Sequence, residues 1–223
     1  PDAAQEQETM QATTLDSLLA LAEIALAAGE EERATYHADG RRETVSTHTM
    51  MLGLVACEVA RSSNARLALG FPLLDPGLVA QFALVHDVAE VAPGGPGDLD
   101  TFGNTDPKAR AERDAAEACA RALLAESHPR WLGPMVERYE RMDTLEARLV
   151  HYLDKILPKM TLALSSCRQW VEAGHTLEEF QEFVAKQGAA LAERHPDITP
   201  ICGPLYEALN ERVERAWTER GEA

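Results

Sequence analysis

The fold is decided by residues 77–91, Gly77-Leu78-Val79-Ala80-Gln81-Phe82-Ala83-Leu84-Val85-His86-Asp87-Val88-Ala89-Glu90-Val91. Up to Val85 the run is apolar on nearly every side of a helix, with Gln81 its polar interruption, which predicts a buried helix over the whole stretch. His86 and Asp87 close the apolar run. Ionisable side chains in such a place must be paired, hydrogen-bonded or metal-bound, because an isolated charge in apolar surroundings is strongly unfavourable. Glu90 follows three residues after Asp87, so a continuous helix brings it near the same face. Pro93-Gly94-Gly95-Pro96-Gly97-Asp98 comes next and cannot be helical, which sets a loop beside the His-Asp pair.

Outward from this segment the chain reads as helix after helix. Thr14 to Gly29 is amphipathic, with Leu15, Leu18, Leu19, Ala22 and Leu26 on one face, and residues 1–13 read as a flexible tail. Glu30 to Arg42 reads as a polar link and Thr44 to Ser62 as a second helix. Beyond the glycine loop, helices are expected over Pro107 to Glu126, Pro134 to Met142, Leu145 to Ala173, Thr176 to Arg194 and Ile201 to Arg220. Pro158 is a candidate kink in the longest of them. Phe180, Phe183, Leu191, Tyr206, Leu209 and Trp217 are expected to finish the core from the C-terminal helices. Alternation of period two is not evident, so the expectation is one all-α domain over residues 14–223.

Net charge excludes some partners. At −16 over 223 residues, the surface suits neither a nucleic-acid polymer nor an anionic membrane. A small phosphorylated substrate remains compatible, since local cations or a bound metal attract anions on an acidic protein. Cys57, Cys119, Cys167 and Cys202 are scattered without a Cys-x-x-Cys pair, the pattern of reduced thiols in a cytoplasmic protein. The acidic N-terminal stretch is unlike a signal peptide, and no apolar run approaches the ~20 residues of a membrane span.

Two further residues complete a chemical constellation. Asp154 lies among apolar residues in His151-Tyr152-Leu153-Asp154-Lys155-Ile156-Leu157, and His48 lies near a helix start. Singly, each has a plainer explanation: His48 as a helix-start residue, Asp154 as an ion-pair partner of Lys155, Lys159 or Arg148, Asp87 as a cap. Together, His48, His86, Asp87 and Asp154 supply two imidazoles and two carboxylates from separate helices. That donor set suits one divalent transition metal, Zn, Mn, Co, Fe or Ni, and helix bundles build metal sites in this way.

In order and context these residues resemble the H…HD…D signature of the HD-domain phosphohydrolases. Glu43-Thr44-Val45-Ser46-Thr47-His48-Thr49 resembles the "ENVSEHS" stretch of the 5′-deoxynucleotidase branch, and His86 to Val91 with Gly97-Asp98-Leu99 resembles its "HDxxEV…GDL". Arg33 falls where that branch carries a phosphate-contacting arginine. Thr44, Thr47 and Thr49 stand in place of Asn, Glu and Ser, Ala34 in place of a tryptophan, and the loop before Asp98 is longer. The resemblance covers about residues 30–165, and it implies a single HD domain whose four ligands hold a metal that activates water against phosphorus. It implies Asp98 orienting water or touching the sugar and Arg33 binding phosphate; Glu90, close to the metal site, is expected to shuttle a proton, and Arg41, Arg42, Lys155 or Lys159 are further candidate cations for the phosphate. The implied substrate is a small-molecule nucleotide, with phosphate released from deoxynucleoside monophosphates. The alternatives are release of triphosphate from deoxynucleoside triphosphates, or a non-catalytic binding module on the same scaffold. Relatives of this kind imply a homo-oligomer, dimer or larger.

Overall fold

The structure is a computed structural model that describes residues 3–66, 73–98 and 106–221, with side chains from Thr14 onward except at residues 169 and 221. Asp98 is therefore described, and Leu99 of the quoted motif lies outside the described residues. The chain opens on α1 (Ala3–Glu30), followed by an antiparallel hairpin of β1 (Glu32–Tyr36) and β2 (Arg42–Thr44). Then come α2 (Val45–Asn64), α3 (Pro76–Val85), the single turn α4 (Val88–Val91), α5 (Pro107–Ser127) and α6 (Leu132–Glu140). The remainder is α7 (Leu145–Leu164), the short α8 (Arg168–Glu172), α9 (Leu177–Arg194) and α10 (Thr199–Gly221). The fold is all-α, as expected, and among the described residues its sheet is confined to that hairpin.

Helices that carry the site start on side-chain caps. Thr44 accepts the Thr47 N–H while the Thr47 hydroxyl receives the Thr44 N–H, a capping box in which Thr47 does what Glu usually does. Asp75 accepts from Gly77 and Leu78 ahead of α3, with Pro76 in its first turn. Thr144 accepts from Ala147 at the start of α7. α2 packs on α3, and α7 lies against both and against α10, so the core is built around this trio. Leu52, Ala56, Phe82, Ala83, Leu153, Ile156 and Leu157 are wholly buried there. α9 and α10 complete it, with Phe180 and Trp217 meeting Trp170 edge-on at 6.0–6.2 Å between ring centroids.

Four departures from the sequence reading have physical causes. The helix expected over residues 77–91 breaks at His86-Asp87, where Asp87 takes φ −106° and ψ 7°, and α3 leaves Leu84 exposed instead of burying every face. The polar link contains the hairpin, whose eight strand residues, all but Ala34 charged or polar, carry no readable alternation. α1 begins at Ala3 rather than Thr14, and it packs through Leu21 and Ile24. Leu15, Leu18, Leu19 and Leu26 face outward, Leu26 being 69% exposed. Finally, α7 ends at Leu164 because Ser166 and Cys167 adopt positive φ of 51° and 56°, which separates α8. Pro158 stays inside α7; its missing N–H leaves the carbonyl of Asp154, four residues earlier, without a helical donor. All four cysteines are free thiols, and no described helix is long and apolar enough to cross a membrane.

Candidate metal centre

His48 stands in the first turn of α2, fixed by the capping box and fully buried. Its Nε2 lies 2.9 Å from Oδ1 of Asp154, at the middle of α7. His86 ends α3, and its Nδ1 lies 2.8 Å from the carbonyl oxygen of Ala83. A carbonyl only accepts, so Nδ1 carries the proton and Nε2 presents a bare lone pair. The backbone break at Asp87 brings its Oδ2 to 2.9 Å from that Nε2, and Asp87 makes no capping bond to α4. Oδ1 of Asp154 is 3.7 Å from the same nitrogen.

The four residues fit a divalent metal. One donor atom from each of His48, His86, Asp87 and Asp154 lies within 4.8 Å of all the others. Donors about 2.1 Å from one ion stand roughly 3–4.3 Å apart, so a small adjustment closes the set on a single centre. His86 Nε2 is buried and has no hydrogen-bond partner despite its nearness to Asp87, which is what an imidazole awaiting a metal looks like. Burial opposes charge on Asp154, yet Lys155 and the His48 hydrogen bond outweigh it and hold the carboxyl well below the ordinary range. Burial also opposes charge on His48; its hydrogen bond to Asp154 and the nearby Glu43 carboxylate overcome this and raise its pKa to about 9.

Around this cluster the structure assembles several of the expected partners. Arg33, from β1, places NH1 2.9 Å from Asp87 Oδ2 and 3.0 Å from Asp98 Oδ1. The Asp98 N–H donates to Glu31 Oε1 at 2.9 Å. Burial, followed by the Asp87 charge, raises the Asp98 carboxyl even though Arg33 pulls it down. Glu90 is pushed up to about 8 by burial and by Asp87, against the pull of Arg113. Lys155 puts Nζ 2.7 Å from Asp154 Oδ2. Lys159 is not brought to the cluster. Its ammonium meets Gln187 and the rings of Tyr206 and Phe183, because it leaves α7 on the side packed against α9 and α10. Arg148 pairs with Asp197 rather than Asp154, Arg41 with exposed Asp39, and Arg42 with Glu32.

Sequence reasoning missed two residues here. Glu43 is completely buried, accepts the Thr35 hydroxyl, and sets Oε2 3.7 Å from His48 Nδ1 and from Arg33 Nε. It sits inside the motif before His48, so its position was visible but its role was not. Arg113, on α5, holds Glu90 at 2.6 Å, and nothing in the charged sequence around it marks it out. The glycine loop is obligatory at Gly95, where an added Cβ would lie 2.3 Å from the Glu90 carbonyl oxygen and 2.4 Å from that of Ala89.

Comparison with known proteins agrees with this geometry. Residues 30–219 match the family model for the HD domain. In fold the chain is similar to the crystal structure of a predicted metal-dependent phosphohydrolase from Magnetospirillum magnetotacticum MS-1, with a TM-score of 0.65 and 20% sequence identity. The alignment covers 92% of this chain and 93% of that one. No curated protein matches the chain. With the family model spanning most of its length, and the His, His-Asp and Asp positions converging on one point, the chain belongs to the HD-domain family.

Proposed function

We propose that this protein is a metal-dependent phosphohydrolase that acts on deoxynucleotides and releases phosphate from deoxynucleoside monophosphates. The observation that carries the reading is the arrangement of Arg33 and Asp98 against the metal cluster, with Arg33 NH1 2.9 Å from Asp87 and 3.0 Å from Asp98. The likeness to the structure of a predicted metal-dependent phosphohydrolase supports the reaction class, and the Glu43–His48 and His86–Asp98 motifs support the nucleotide substrate.

Held by His48, His86, Asp87 and Asp154, a divalent metal supplies Lewis acidity towards a phosphoryl oxygen and towards water. The remaining chemistry belongs to the chain. Arg33 offers a planar fork to phosphoryl oxygens. Glu90 stands outside the ligand set with its Oε2 buried and without a partner, placed to take up and return a proton. Asp98 lines the site from the glycine loop, where its contact with Arg33 keeps the arginine facing the cluster. Lys155 balances the second oxygen of Asp154, and Glu43 stands behind His48.

The supply of cations favours a monophosphate. Among the described residues, Arg33 and Lys155 are the expected cations found at the cluster, and Lys159 is turned away. One phosphoryl group matches that supply better than a triphosphate chain does. The test is product analysis with dAMP and dATP, repeated with several added metals. Inorganic phosphate from dAMP is expected. Triphosphate from dATP as the main product would replace this reading with the triphosphohydrolase one, and no turnover of any nucleotide by metal-loaded protein would refute both.

A further inference from the structure

Arg113 lies in the charged N-terminal half of α5, where Lys108, Arg110 and Glu112 are exposed. Its own side chain turns inward and is only 12% exposed. NH2 reaches Glu90 Oε1 at 2.6 Å, and NH1 reaches the carbonyl oxygen of Gly97 at 2.5 Å. Gly97 is held from its other side as well, since its N–H donates to the Glu90 carbonyl at 2.9 Å. One guanidinium therefore ties the Glu90 side chain to the far end of the glycine loop. The next residue, Asp98, meets Arg33 at 3.0 Å. With Oε1 of Glu90 clamped, Oε2 is left as the carboxylate oxygen without a partner.

We infer that Arg113 is a positioning residue: it fixes Glu90 so that Oε2 is the oxygen that handles the proton, and it pins the loop that carries Asp98. The inference rests on the hydrolase reading above. A buried ion pair is weak evidence for stability. Here the pair spans two chain segments that must keep register with the metal ligands, and a displacement of about 1 Å at such a point slows catalysis on the order of a hundredfold. A planar fork can hold both acceptors at once, which a lysine ammonium does less well.

The experiment compares Arg113→Met, Arg113→Lys, Glu90→Gln and the Arg113→Met/Glu90→Gln double variant, each loaded with metal. Arg113→Met is expected to lower kcat about tenfold or more, with KM and metal content little changed. The double variant is expected to lose clearly less than the product of the two single losses, because part of the arginine's effect passes through that carboxylate. Arg113→Lys, which keeps the charge without the fork, guards against a folding defect and should show the same slowing to a smaller degree. Independently of turnover, amide exchange at Gly97 should accelerate in Arg113→Met while amides around Asp154 stay protected. Wild-type kcat in Arg113→Met, or full additivity with Glu90→Gln, overturns the positioning role. If wild-type protein hydrolyses no deoxynucleotide, the hydrolase reading fails, and exchange at Gly97 alone decides whether Arg113 pins the loop.

Discussion

His86 cannot rotate its ring without giving up the 2.8 Å contact between Nδ1 and the Ala83 carbonyl. Each ligand is restrained in this manner: His48 by Glu43 behind it, Asp154 by Lys155, Asp87 by Arg33. Such outer partners set the tautomer and orientation of a metal ligand. Glu90 is different, being held by Arg113 rather than placed among the ligands, so its substitution separates binding from chemistry. Glu90→Gln is expected to keep its metal and to lose activity by about 10²–10⁴-fold, as measured by metal analysis alongside initial rates. The grouping of His48, His86, Asp87 and Asp154 was legible from their order and context taken together, since singly each has a plainer explanation. Glu43 and Arg113 were not, since a charge among charged neighbours looks the same whether it faces solvent or a buried partner.

At the scale of elements, the break between α3 and α4 does the most for the site. Unwinding at Asp87 points its carboxylate at His86, and the loop then folds back so closely on Glu90 that only glycine fits at position 95. Gly95→Ala is expected to destabilise the protein by more than about 1 kcal/mol and to lower activity, as followed by urea unfolding and rate measurements. α7 carries a second test. Burial lowers the Lys159 pKa to about 7, outweighing the help that the Tyr206 and Phe183 rings give an ammonium. Below that pH the folded protein must hold a buried charge. As pH rises towards the ordinary 10.5 of the unfolded chain, the folded state is already neutral while the unfolded state still binds the proton, so stability increases. Lys159→Met is therefore expected to be more stable than wild type near ~pH 6, with the difference shrinking by ~pH 10; a gap independent of pH in urea titrations would contradict this. The helix starts expected at Thr44, Gly77 and Leu145 fall within a residue of those observed, where Thr44, Asp75 and Thr144 supply the caps. The break at His86-Asp87 was not legible, because the apolar pattern on either side continues as though the helix did.

For the molecule as a whole, the all-α architecture followed from periodicity, and the C-terminal aromatics do close the core against α7. The outward leucines of α1 show where periodicity stops being informative: an apolar stripe identifies a face but not what the face meets. Tertiary packing turned that helix so that Leu21 and Ile24, not the leucine stripe, touch the body. The metal should tie the molecule together, because its ligands come from α2, α7 and the α3–α4 junction. Binding to the folded state alone raises stability by mass action, by about 2.7 kcal/mol at a hundredfold excess over Kd, so a higher Tm is expected with metal and a lower one after chelation. The most direct test of the account is the number of divalent ions bound per chain at equilibrium, in wild type and in the near-isosteric Asp154→Asn. We expect about one ion per wild-type chain and close to none in the variant at the same free metal. An Asp154→Asn protein that binds metal as wild type does, or a wild-type protein that binds none, would contradict it.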